Sequence, residues 1–206
     1  MIKPAKLFLI RHAPVKSNSG FFSERDPDAI IVDSKLKKLS KVIPSNCTWY
    51  ISPLKRAVQT ARALSNLVSY SKIIEEKRLA EQNFGDWSGK KISEIWEILK
   101  KYKTKHNFSF ITPDISPPNG ESYIEQCERV KNWIETLKYT EGENIVVIAH
   151  AGTIRAILSN ALEIKPEKTI GIEILHYSLS VFEMLTKNDA RSAGGKFRLI
   201  TLNREV

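Results

Sequence analysis

Apolar and polar residues change their period several times along the chain, and each change indicates a new element. Residues 6–10 and 144–149 form short, almost continuously apolar runs, which are typical of parallel strands covered on both faces. Further strands are predicted at residues 48–51, 72–76, 179–185 and 197–202. Helices with an amphipathic period are predicted at residues 34–42, 53–68, 92–99, 122–137 and 154–162.

The alternation of strands and helices predicts a three-layer α/β/α sandwich with a mainly parallel central sheet. We expect a single domain over residues 1–206, since no linker or internal repeat divides the chain. Ser52 is the predicted N-cap of the second helix and Pro53 its first helical residue. Residues 103–121 are polar and rich in proline, and they predict an excursion over the surface or a lid over the site.

Charge and composition restrict the class of protein only loosely. The chain carries 32 Lys and Arg against 23 Asp and Glu, a net charge of +9, which suits small anionic substrates as well as nucleic acids. The lysines stand in short runs without an aromatic–basic recognition motif, so we expect no nucleic-acid partner. No apolar stretch is long enough for a membrane span or a signal peptide, which predicts a cytoplasmic protein without a membrane partner. The composition is also compatible with a homodimer.

Two histidines and two arginines follow the predicted strands. Arg11 and His12 end the first apolar strand, His150 ends the later one, and Arg56 lies in the first turn of the helix after the second strand. Parallel strands direct their carboxyl ends to the same edge of a sheet, so these four side chains could share one pocket. Guanidinium groups suit phosphate oxygens, and the N–H groups at Gly152 open a helix and add a further anion-binding element.

The histidine ring supplies a nucleophile, which the arginines and backbone N–H groups cannot provide. Imidazole is both nucleophilic and close to its neutral form at physiological pH. We expect the nearby arginines to lower the pKa of His12 and to keep its attacking nitrogen unprotonated.

Four motifs in order resemble those of the histidine phosphatase superfamily, which has the phosphoglycerate mutase-like fold. They are Arg11-His12-Ala13, Ser52-Pro53-Leu54-Lys55-Arg56-Ala57, Glu81 with Phe84-Gly85-Asp86-Trp87-Ser88-Gly89, and His150-Ala151-Gly152-Thr153. The resemblance implies that His12 takes up the phosphoryl group and that Glu81 protonates the leaving oxygen and then activates water. It also implies a phosphate clamp of Arg11, Arg56, His150 and Asn18. No cofactor or metal is implied.

Details of these motifs bear on the substrate. Ala13 and Pro14 stand where the family usually has glycine and an acidic residue, and residues 118–122 resemble the α-ribazole phosphatase branch. Residues 21–28 depart from that branch. The resemblance therefore implies a small phosphorylated substrate, with α-ribazole 5′-phosphate or a related phosphomonoester as the first candidate. Phosphoglycerate mutase activity and non-catalytic binding of a phospho-ligand stay as alternatives.

The remaining candidates have simple structural interpretations. His106 and His176 are expected to be structural or surface residues. Arg25 and Glu121 could reach a substrate or face solvent. Cys47 and Cys127 lack metal-binding spacing, and neither His12 nor His150 lies in a metal-ligand motif, so no metal site is expected.

Overall fold

Six strands form one mixed sheet at the centre of the computed structural model, which describes residues 3–102, 105–109, 111–186 and 194–206. The strands are β1 (Ala5–Arg11), β2 (Cys47–Ile51), β3 (Tyr70–Glu75), β4 (Asn144–Ala149), β5 (Leu179–Met184) and β6 (Phe197–Arg204). Their order is β3-β2-β4-β1-β5-β6. The first four are parallel, whereas β5 runs antiparallel to both β1 and β6. The predicted α/β sheet is confirmed, with an antiparallel pair at one edge.

Helices cover both faces of the sheet, because each buries one apolar stripe. They are α1 (Asp33–Leu39), α2 (Lys55–Ser65), α3 (Ile92–Leu99), α4 (Tyr123–Thr136), α5 (Ala151–Ala161) and α6 (Pro166–Thr169). One core joins α4 and α5 to β1 and β4, and a second joins α1 and α2 to the opposite face. The central strands β1 and β4 are therefore buried on both sides, which explains their continuous apolar sequence.

The excursion before α4 has a small core of its own. Ile111 and Ile115 pack with Ile95 and Leu99 of α3, and Trp87 joins them. The predicted excursion also contains Lys103, Thr104 and Phe110, which lie outside the described residues, as do residues 187–193 of the turn predicted before β6. Within the described ranges, no helix has both the length and the apolar composition needed to cross a membrane.

Two helix starts differ from the prediction by two residues or more. The helix α2 begins at Lys55 with Leu54 as its N-cap, so Ser52 and Pro53 precede it. The hydroxyl of Ser52 lies 2.7 Å from a ring nitrogen of His150 and also accepts from the backbone N–H of Leu54 at 3.3 Å. The helix α5 begins at Ala151, directly after β4, and not at residue 154.

Candidate active site

The two strand-end histidines meet at the carboxyl edge of the sheet. Strand β1 pairs with β4 in register, with Arg11 opposite Ala149, so His12 and His150 follow on neighbouring strands. Their ring centroids are 4.9 Å apart. Both residues are buried, at 4% exposure for His12 and 0% for His150. The spacing of the strands therefore determines the spacing of the imidazoles.

Hydrogen bonds assign the tautomer of His12. Its Nδ1 lies 2.5 Å from the carbonyl oxygen of Ala13, which can only accept, so Nδ1 carries the proton. Its Nε2 accepts from Nε of Arg56 at 3.2 Å. The lone pair of His12 is thus on Nε2, the nitrogen that faces the arginine.

Burial keeps this imidazole neutral. The pKa of His12 is lowered to about 2, with burial as the largest cause and with smaller contributions from His150, Arg56 and Arg11 in that order. The arginines alone were expected to lower this pKa, but the loss of hydration inside the core is the larger cause. At neutral pH the Nε2 lone pair is available to an electrophile.

Two buried nitrogen atoms near the ring lack hydrogen-bond partners in the described part of the chain. The Nδ1 atom of His150 and the Nε atom of Arg11 have no hydrogen-bond partner among the described residues. Burial also lowers the pKa of both side chains, and it is the first cause in each case. Buried polar groups are nearly always paired, so these two atoms indicate a place for an acceptor such as a phosphate oxygen.

Arg56 approaches the same point from the other side of the sheet edge. It lies in the first turn of α2 and is 8% exposed. Its Nη1 donates to the carbonyl oxygen of Arg25 at 3.2 Å and is 3.8 Å from a carboxylate oxygen of Asp26. Arg11, Arg56 and His12 line a cavity of about 570 Å³, which we call the phosphate cavity.

Glu81 also lines the phosphate cavity, and three donors orient its carboxylate. Oε2 accepts from the backbone N–H of Gly152 at 3.1 Å. Oε1 accepts from Nε2 of Gln126 at 3.0 Å and from the N–H of Gln82 at 3.1 Å. Burial lowers the pKa of Arg11 and of Arg56. The carboxylate of Glu81 attracts both guanidinium groups and offsets part of that lowering.

Gly152 lies directly beneath this carboxylate. A β-carbon at that position would stand 2.2 Å from Oε1 of Glu81 and 3.0 Å from Oε1 of Gln126. The glycine therefore provides room for the carboxylate of Glu81 as well as an N–H donor. Gln126 was not anticipated: the sequence places it on an amphipathic helix, and only its complete burial distinguishes it from a surface glutamine.

His176, which was expected to be a structural or surface residue, lines the phosphate cavity. Its Nδ1–H donates to the carbonyl oxygen of His12 at 3.0 Å, and the two rings make an edge contact at 5.2 Å. Burial lowers the pKa of His176 as well. The residue comes just before β5, whose antiparallel direction brings its beginning to the edge where β1 ends.

Other predicted residues lie at or beyond the rim. Asn18 is exposed, its backbone carbonyl accepts from the N–H of Phe21, and it does not line the phosphate cavity. Arg25 lines the cavity. Glu121 also lines it, but its carboxylate is occupied by a bidentate ion pair with Arg129. His106 lies away from this cavity, with Nε2 at 2.8 Å from the carbonyl oxygen of Glu167. Among the described residues, no group of His, Cys, Asp and Glu side chains is arranged to hold a metal ion.

Comparison with known proteins agrees with this geometry. The profile of the histidine phosphatase superfamily (branch 1) matches residues 7–191. The chain belongs to this superfamily. The motifs predicted this family, its phosphoglycerate mutase-like fold and its class of enzyme, a phosphatase, and all three are confirmed.

Individual relatives carry several activities. Phosphoserine phosphatase 1 of Hydrogenobacter thermophilus is 28% identical over 192 residues, covering 87% of this chain and 86% of that protein. A 2,3-bisphosphoglycerate-dependent phosphoglycerate mutase of Cytophaga hutchinsonii is 28% identical over 148 residues, covering 69% and 68%. The solved structure of an alpha-ribazole phosphatase from Shigella flexneri superposes with a TM-score of 0.72 at 22% identity, covering 97% and 96%. The last similarity concerns the fold alone.

Proposed function

We propose that this phosphatase hydrolyses a small phosphomonoester without a metal, through a phosphohistidine on Nε2 of His12. The neutral, buried His12 ring supports this proposal most directly, because its lone pair faces a cavity lined by two arginines and a carboxylate. The buried nitrogen atoms of Arg11 and His150 that lack partners within the described ranges support a phosphate group at the same place.

The first step transfers the phosphoryl group to the enzyme. Nε2 of His12 attacks phosphorus, the P–N bond forms, and the bond to the ester oxygen breaks. Glu81 acts as the general acid and gives a proton to that oxygen. Arg56 exchanges its contact with Nε2 for a phosphate oxygen, and Arg11 and His150 hold the others.

The second step releases phosphate. Glu81, now a carboxylate, removes a proton from water, the resulting oxygen attacks phosphorus, and the P–N bond breaks. Nε2 of His12 regains its lone pair. The donors of Gly152 and Gln126 keep the carboxylate in one orientation through both steps.

The deciding experiment measures phosphate release from a panel of monoesters in EDTA, with wild type and His12→Ala. The panel contains α-ribazole 5′-phosphate, which the motifs favour, together with phosphoserine and p-nitrophenyl phosphate. We expect wild-type activity in EDTA and its loss in the variant. Equal rates for the two proteins would exclude a phosphohistidine at His12.

A second variant tests the acid. Glu81→Gln should slow esters with poor leaving groups more than p-nitrophenyl phosphate, whose leaving group needs no proton. An equal effect on both would remove Glu81 from that role.

Two alternatives make different predictions. A mutase would interconvert phosphoglycerates faster than it releases phosphate. A non-catalytic binder would show no turnover, and the short distance between His12 and His150, with Glu81 in the same cavity, favours an enzyme over that alternative. A cytoplasmic location, a small phosphorylated substrate and the absence of nucleic-acid or membrane partners are parts of the same proposal.

A further inference from the structure

A second cavity adjoins the phosphate cavity on the far side of Glu81. Its volume is about 220 Å³, and Glu81, Gln82 and Phe84 line both cavities. We call it the leaving-group cavity. An ester oxygen placed beside Glu81 would therefore have its carbon substituent at the entrance of this second space.

The wall of the leaving-group cavity contains an arginine that has no salt bridge to any described residue. Arg155 of α5 lines it, and its Nε donates to the carbonyl oxygen of Ile172 at 2.6 Å. The guanidinium forms no salt bridge with any residue that the structure describes. By contrast, Arg129 at the rim of the phosphate cavity is already neutralised by Glu121.

A buried hydroxyl accompanies this cation. Thr112 is 6% exposed, and its Oγ1 has no hydrogen-bond partner among the described residues. It lines the leaving-group cavity and separates it from an outer cavity next to α3. A buried hydroxyl without a partner carries a desolvation penalty that a bound acceptor would remove.

Aromatic rings form the apolar part of the wall. Phe22, Phe84 and Tyr123 line the space, and the hydroxyl of Tyr123 is already paired with Thr169 at 2.9 Å. The volume is enough for about seven water-sized groups. The cavity therefore suits a short organic chain with one acceptor group at its end.

We propose that the leaving-group cavity binds the alcohol portion of a short phosphomonoester that ends in a carboxylate. The carboxylate pairs with Arg155 and accepts from Thr112, while the carbon chain lies against the aromatic rings. A planar carboxylate fits the guanidinium fork, and a single arginine balances one negative charge. A nucleoside such as that of α-ribazole 5′-phosphate is larger than this space.

This inference rests on the proposed hydrolysis at His12, and its test uses a matched pair of esters. 3-Phosphoglycerate and glycerol 3-phosphate share a carbon skeleton and differ by a carboxylate in place of a hydroxymethyl group. We expect wild type to release phosphate from the first with the higher kcat/KM. The readout for each variant is the ratio of the two kcat/KM values.

Three variants separate the possible positions of the carboxylate. Arg155→Met should lower the ratio roughly 10- to 100-fold, the usual effect of losing a charged hydrogen bond. Thr112→Val, which keeps the shape of the side chain, should lower it about 3- to 10-fold. Arg25→Met is the control, because Arg25 lines only the phosphate cavity, and it should affect both esters by a similar factor.

Each contrary result has a separate meaning. A wild-type ratio near one, an equal loss on both esters in Arg155→Met, or a drop in the ratio confined to Arg25→Met would each overturn the inference. Failure of the proposed function looks different: wild type and His12→Ala would then be equally inactive on p-nitrophenyl phosphate. His12-dependent hydrolysis of that ester without a preference for 3-phosphoglycerate would refute the cavity assignment alone.

Discussion

Adding one methyl group at Gly152 should displace the carboxylate of Glu81, the proposed acid, without disturbing the fold. The new β-carbon would lie 2.2 Å from Oε1 of Glu81, whereas ordinary contact begins near 3.4 Å, so the carboxylate must retreat by about 1.2 Å. The oxygen is the end of a flexible side chain, and the movement is therefore possible. A misplacement of about 1 Å can cost roughly 100-fold in rate. We expect a loss of that size in Gly152→Ala.

The loss should depend on the leaving group. Esters of aliphatic alcohols need a proton on the departing oxygen, so their kcat/KM should fall by roughly 100-fold. Hydrolysis of p-nitrophenyl phosphate should fall much less. Steady-state kinetics on both substrates measures the difference.

Stability should change much less than activity, because the helical preference for alanine opposes the loss of hydrogen bonds to the displaced carboxylate. Gly152 lies in the first turn of α5 and its φ is not in the left-handed region, so alanine fits the backbone there. Alanine favours a helix over glycine by up to about 1 kcal/mol. The control is Gly171→Ala, whose β-carbon would meet Cδ2 of Phe108 at an ordinary 3.5 Å. Activity of Gly152→Ala within about 3-fold of wild type on a poor leaving group would refute the reasoning.

Further predictions concern the buried histidines. Ser52→Ala removes the partner of a fully buried ring and should lower the free energy of unfolding by about 1–3 kcal/mol, whereas Ser65→Ala, at an exposed hydroxyl, should change it little; urea denaturation compares them. His176→Phe keeps a ring but removes the donor to the backbone of His12, and we expect kcat on p-nitrophenyl phosphate to fall about 10-fold; an unchanged kcat would exclude a positioning role. The folded state keeps the pKa of His12 and His150 below their unfolded value near 6.5, so the unfolded chain binds more protons as the pH falls. Stability should therefore decrease below about pH 6.5 by up to about 1.4 kcal/mol per pH unit for each histidine, and His12→Asn should reduce that slope in urea titrations.

Local sequence predicted the central sheet well. The apolar runs of β1 and β4 are continuous because both faces of these strands are covered, and the sequence pattern reflects that burial directly. Arg11, His12 and His150 then follow from the ends of the strands. Their arrangement could be anticipated because parallel strands bring their carboxyl ends to one edge.

The features that were missed depend on contacts between distant residues. The pair Ser52-Pro53 is a good local start signal for a helix, but the hydroxyl binds His150, which lies far away in the sequence. His176 reaches the site only because β5 is antiparallel, and no pattern in the chain shows that direction. Gln126 of α4 donates to Glu81, which lies 45 positions earlier in the chain, and its burial is visible only in three dimensions.

The position of β1 between β4 and β5 has a consequence for biosynthesis. A ribosome delivers β1 first, yet both of its neighbours in the sheet come from the last third of the chain. The strand that leads to His12 must therefore remain unpaired until residue 144 and those after it have emerged. Until then the apolar residues of β1 stay exposed to solvent. We therefore expect them to be a binding site for a chaperone on the nascent chain.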